Sequence, residues 1–149
     1  MQMKLLPYDS FEIQSRLSRE DAVTALNANV EPRKALRVGW QHKLYEGEVS
    51  REGFKITRLS HGEYTFPPVI HGAFRQGPRG VNVKIRMVPH PYVLTGMVGL
   101  LIFVAIAHNP LPFFAQVVAT IFVEAIFIGS FWAEAKKAKK ELLDIFQGR

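Results

Sequence analysis

The chain contains no cysteine. That excludes disulfides, thiolate metal sites and a cysteine nucleophile, and it is compatible with a reducing compartment. The sequence also lacks a Gly-rich phosphate loop, a Ser-His-Asp arrangement and paired carboxylates in an apolar setting. Its histidines, His42, His61, His71, His90 and His108, show no metal-ligand spacing. No cofactor or metal site is expected, and an enzyme is the least supported class. The first residues lack the long apolar stretch of a signal peptide, since Asp9 and Glu12 follow Leu5 and Leu6 closely. The expectation is therefore that the N-terminal part stays in the cytoplasm.

One further absence is the most informative. Between Arg86 and Lys136 there is no lysine or arginine, and the only acids are Glu124 and Glu134. Inside this gap lie two apolar runs, Tyr92–Ala107 and Leu111–Trp132, split by His108-Asn109-Pro110. As helices they rise roughly 24 and 33 Å, against a hydrocarbon core of about 30 Å. The second run is apolar on nearly every face, which means a membrane span or the centre of a large protein. Residues 89–132 thus read as a transmembrane helical hairpin. Of the 19 basic residues, 14 precede the hairpin, 5 follow it and the turn has none. By the positive-inside rule both termini are cytoplasmic. Tyr92 and Trp132 fall at the two cytoplasmic ends, where aromatic belts form. The net charge of +6 requires no nucleic acid, because anionic lipid headgroups are the nearest partner for positive charge beside a bilayer.

Residues 1–88 read as a cytoplasmic α+β domain. Phe11–Ser15 alternates as a strand. Ser18 opens a helix with Asp21 three residues on, a variant of the capping box. Ala22, Val23, Leu26 and Val30 supply its apolar stripe, and Pro32 ends it. Leu44–Val49 and Phe54–Arg58 form a hairpin across Ser50–Gly53, with Gly53 expected in the left-handed conformation. Val69–Arg75 and Val81–Met87 form a second hairpin across Gln76–Gly80. Val81, Val83, Ile85 and Met87 alternate with Asn82, Lys84 and Arg86, as in a sheet with one face on a core and one in water. The expected domain is a small, mostly antiparallel sheet of about five strands covered by one helix. Between the hairpins, Leu59–Pro68 reads as a connecting loop whose aromatics pack over the sheet edge. Residues 133–149 continue as a basic amphipathic helix.

Several segments, among them Leu6–Gln14, Tyr45–Val49, Gly53–Arg58, Phe66–Phe74 and Val83–Pro91, resemble a family of small bacterial membrane proteins common in cyanobacteria. The resemblance implies an architecture, a soluble domain fused to a membrane hairpin in a bacterial inner or thylakoid membrane. It implies no activity.

Three sets of residues stand out. Glu124 lies near the middle of the second span, where a carboxylate costs on the order of 2.5–3.5 kcal/mol to insert. Thr120, one turn back, and Gln116 and Thr95 are its available partners. Gly96 and Gly99, Ala115 and Ala119, and Ala125 and Gly129 supply small residues that let helices approach closely, within the hairpin or with a partner. Lys136, Lys137, Lys139 and Lys140 form a basic collar beside the bilayer, contributing about 1 kcal/mol each on an anionic leaflet. Leu142, Leu143 and Phe146 beyond it either meet that surface or cover the soluble domain. The sequence is best read as a membrane-anchored binding or assembly module, with a membrane-protein partner or a second copy. The alternatives are a tethered domain holding lipid or a small apolar ligand between Phe54, Tyr64, Phe66 and Phe74, and an oligomeric proton or ion path built on Glu124.

Overall fold

The structure, a computed structural model, describes residues 7–32, 43–59, 66–106 and 112–148. It is an α+β fold. The elements run β1 (Asp9–Ser15), α1 (Arg19–Asn29), β2 (Val30–Glu31), β3 (Tyr45–Val49), β4 (Gly53–Arg58), β5 (Val69–Gly77), β6 (Gly80–Val88), α2 (Pro91–Ile106) and α3 (Phe113–Gln147). The strands make one sheet in the order β1-β6-β5-β4-β3-β2. Every pair is antiparallel except β2 with β3.

Local chemistry explains most boundaries. Ser18 caps α1 as its spacing predicts: the Asp21 N–H donates to Ser18 Oγ at 3.1 Å, and the hydroxyl donates to Asp21 Oδ2 at 2.6 Å. The helix stops earlier than its apolar stripe suggests. Val30 leaves it in extended conformation, its N–H bonded to the Asn27 carbonyl, and pairs with Tyr45 in the short strand β2. This adds a sixth, parallel strand to the five expected. Val30 is buried all the same, so its apolar side chain serves the same core from a strand. The β3–β4 turn closes through the Ser50 N–H on the Gly53 carbonyl. Gly53 is not left-handed, contrary to expectation. The positive φ falls on Gly47, opposite Ile56 within the strand, where a Cβ would overlap the Lys55 carbonyl.

The buried face of the sheet carries Ile13, Phe54, Ile56, Ile70, Phe74, Val83, Ile85 and Met87. Two helices cover it, not one. Besides α1, the C-terminal half of α3 contributes Phe131, Ala135, Ala138, Leu142 and Phe146 to the same cluster. Phe146 is packed against Phe54 and Phe74 at centroid distances of 6.2 and 6.1 Å. The basic tail is thus a continuation of the second apolar run, and its apolar residues cover the sheet.

The N-terminal half of α3 behaves oppositely. It contains a stretch long and apolar enough to cross a membrane, and only 6% of that stretch is buried. A core helix of a soluble protein would be mostly covered. Phe113, Phe114, Ile121 and Phe122 are each more than 60% exposed. The first helix of the expected hairpin is shorter. Pro91–Ile106 is apolar but has 16 residues, about 24 Å of rise, so one helix and not two reaches spanning length among the described residues.

α3 and the strands share a direction. Phe131 lies by Pro89, His90 and Val93, where β6 hands over to α2. Some 22 Å further along (at 1.5 Å per residue), the Phe146 carbonyl accepts a bond from Ser15 Oγ at the far end of the sheet, where Ser15 pairs with Val81. The sheet therefore stands along the extension of α3.

Candidate functional site

Where the bare half of α3 gives way to the covered half, a chain of charged groups ties the helix to the sheet. Arg58, the last residue of β4, reaches two carboxylates two helical turns apart. Its Nη1 donates to Glu134 Oε2 at 3.0 Å, and its Nη2 and Nε donate to Glu141 at 2.7 Å and 3.0–3.1 Å. Tyr45 of β3 donates its hydroxyl to Glu141 Oε2 at 2.8 Å. Lys137 closes the chain on Glu134 Oε1 at 2.9 Å. Glu134 is 1% exposed, so the paired cations Arg58 and Lys137 are what make its burial tolerable.

The electrostatics follow from this geometry. Burial alone would raise the Glu141 pKa, but the hydrogen bonds from Arg58 and Tyr45 outweigh it and hold the carboxyl below its ordinary value. Burial and the Glu141 carboxylate push the Tyr45 phenol well above its usual range. The bond to Glu141 raises Arg58 further still. Two cations meet two anions with every charge engaged, and the cluster acts as a clamp.

The polar residues of the apolar stretch share one seam. Gln116, Thr120 and Glu124 recur every fourth residue, and with Phe127, Ile128 and Phe131 they form the covered side of α3. Opposite, α2 covers Val93, Met97, Leu100 and Val104 at 4-3-4 spacing, the interval of a left-handed helix pair. The Thr120 hydroxyl donates to the Gln116 carbonyl at 2.8 Å and the Thr95 hydroxyl to the Pro91 carbonyl at 3.0 Å, so neither is bonded to Glu124. Glu124 Oε1 is buried with no hydrogen-bond partner among the described residues.

The small residues lie mostly elsewhere. A Cβ added at Gly96, Gly99 or Gly129 would meet nothing within 4 Å, and Ala119 and Ala125 are exposed. Ala115 alone of the six is half-buried. The α2–α3 contact therefore leaves these surfaces open. The collar is divided too. Lys137 belongs to the clamp, and Lys139 lies 4.4 Å from the Phe11 ring centre and 4.0 Å from Asp9. Lys136 and Lys140 point to solvent.

The apolar residues of the expected ligand pocket are divided as well. Phe54 and Phe74 touch each other at 5.5 Å and are covered by Phe146. Phe66 leaves the sheet edge and packs on Phe127 at 4.6 Å, with its N–H donated to Ser130 Oγ. Tyr64, like His42, His61 and His108, lies outside the described residues. The cavity among Phe66, His90, Met97 and Phe131 holds about 10 Å³, the room of one water. A larger cleft of about 810 Å³ opens at the far end of the sheet between α1 and the β5–β6 turn, lined by Arg19, Glu20, Arg51 and Gln76 among others. Among the described residues no group of three His, Asp or Glu side chains is placed to hold a metal ion.

Sequence reasoning missed the clamp. Glu134 was visible as one of two acids in the basic-free gap, yet nothing local marked Arg58, 76 residues away, as its mate. Comparison with protein-family models, curated proteins and solved structures finds no match to this chain.

Proposed function

We propose that this chain is a membrane-anchored binding or assembly module without catalysis of its own, an accessory subunit of a larger membrane complex. In this reading α2 and the bare half of α3 form a hairpin in the bilayer, with both termini in the cytoplasm, in keeping with the bacterial family that the sequence resembles. The observation that carries it is the division of α3: one half exposes apolar side chains everywhere except along its seam with α2, and the other half is locked by Arg58 into the core of the α+β domain. A domain fixed rigidly to its anchor holds a constant height and angle above the membrane, which suits a docking platform. The uncovered Gly96, Gly99 and Gly129 offer close-approach surfaces to a neighbouring helix.

The test is crosslinking in native membranes followed by mild-detergent purification. A discrete oligomer or a stoichiometric partner is expected. A monomer with nothing crosslinked would overturn the reading.

A second reading has one observation behind it. Glu124 Oε1 is buried within the apolar stretch without a hydrogen bond among the described residues, as in a proton-carrying site. Two helices enclose no pore, so several copies would be required. Proton flux in liposomes that is abolished by Glu124→Gln would favour this reading over simple anchoring. The ligand-binding alternative has less support, because Phe146 fills the space between α3 and Phe54 and Phe74.

A further inference from the structure

The face of the sheet turned away from both helices has a charge pattern that the fold itself does not use. Register places Ser10, Arg86, His71, Lys55 and Glu48 in one row across β1, β6, β5, β4 and β3. The three central members are all basic types on adjacent strands. Lys84 and Arg75 follow on the same face further from the membrane end. Lys55, Arg75, Lys84 and Arg86 are exposed and make no ion pair among the described residues. Among the described residues the acids of this face stand on the flanking strands: Glu12 on β1, directly opposite Lys84 and accepting a bond from Asn82, and Glu46 and Glu48 on β3, with Glu48 directly opposite Lys55.

Cross-strand neighbours lie about 4.5–5.5 Å apart, so the Arg86 and Lys55 charges both stand beside His71, with no acid between them. Arg86, Lys84, Arg75 and Lys55 thus hold exposed positive charge over the centre of the face, which an anionic partner complements. We propose that this row is a docking face for an acidic polypeptide segment of a neighbouring protein at the cytoplasmic membrane surface. The proposal rests on the anchored-module reading and names the chemistry of its partner.

Two other anions fit less well. No Phe, Tyr or Trp alternates onto this face of β1, β4, β5 or β6, so it offers single-stranded nucleic acid no stacking platform. Lipid headgroups are disfavoured by the direction of the sheet. The strands run along the extension of α3, so the face rises as a wall beside the bilayer. Arg86 stands five residues before the start of α2, about 15 Å of extended chain. A laterally placed protein reaches the whole row.

His71 supplies an internal probe. Burial first, and then the charges of Lys55 on β4 and Arg86 on β6, lower its pKa. An acidic segment laid over the row opposes that field and raises it.

The experiment uses the full chain in zwitterionic-lipid nanodiscs, with a fluorescein-labelled decaglutamate peptide as the probe. Binding at low salt is expected, with a rise in the His71 titration midpoint followed by NMR. Affinity should fall at least tenfold in the Lys55→Glu/Arg86→Glu variant and stay within twofold in Lys136→Gln/Lys140→Gln. Absence of binding, or binding that the first variant leaves unchanged, would overturn the proposal. So would nanodiscs containing phosphatidylglycerol that raise the His71 midpoint and block the peptide, since lipid would then be the occupant. Failure of the membrane reading is read separately, as a chain that stays soluble and does not enter nanodiscs.

Discussion

Arg58 carries more of this fold than any other single charge. Replacing it with alanine leaves Glu134 buried beside Lys137 alone, and Glu141 without its principal donor. Breaking one partner of a buried pair costs about 3–5 kcal/mol. Urea unfolding of Arg58→Ala in detergent should show a loss of that size, whereas Arg51→Ala, whose contact with Glu20 is almost fully exposed, should be near neutral. The clamp also sets a pH dependence. A carboxyl held below its ordinary value of 4.5 contributes stability above that pH and loses it as the pH falls further. Tyr45, held above its ordinary 10.0, contributes below that pH and loses it as the pH rises. Thermal melts should decline outside these limits, and Glu141→Gln should flatten the acid limb. Little of this was legible in the sequence. Capping by Ser18 was, because its partner is three residues away. Arg58 and Glu134 meet only after the sheet and α3 have been assembled.

At the scale of the element, α3 must satisfy two environments in one helical phase. Its covered residues run from Gln116, Thr120 and Glu124 against α2 to Phe131, Ala135, Ala138 and Leu142 against the sheet. Ala, Lys and Glu from Ala133 to Glu141 are strong helix formers and carry the helix through the junction without a break. Inserting one alanine after Gly129 turns one half by about 100° relative to the other. The clamp and the α2 seam can then no longer both form, and the domain should become sensitive to limited proteolysis. An insertion of seven alanines, two turns to within about 20°, should restore resistance. Phe146→Ala should cost about 3–5 kcal/mol, because the ring is fully buried against Phe54 and Phe74. The sequence showed both hairpins and the alternation of β6 because their patterns are local. It did not show β2, where two residues pair in parallel with partners 15 positions later. Nor did it show which way the apolar side of the tail turns, because lipid and a sheet face attract the same residues.

For the whole molecule, the anchored reading joins a sheet with one charged face to a helix with a bare apolar half, and places them on opposite sides of a membrane boundary. The absence of cysteine makes that boundary directly measurable. Single cysteines at Ser50, Asn109 and Lys140 can be challenged with a membrane-impermeant maleimide in intact cells. The account predicts labelling of Asn109→Cys from outside, and of Ser50→Cys and Lys140→Cys only after permeabilisation. Labelling that puts Ser50 and Lys140 on opposite sides, or a protein released from membranes by alkaline carbonate, would contradict it.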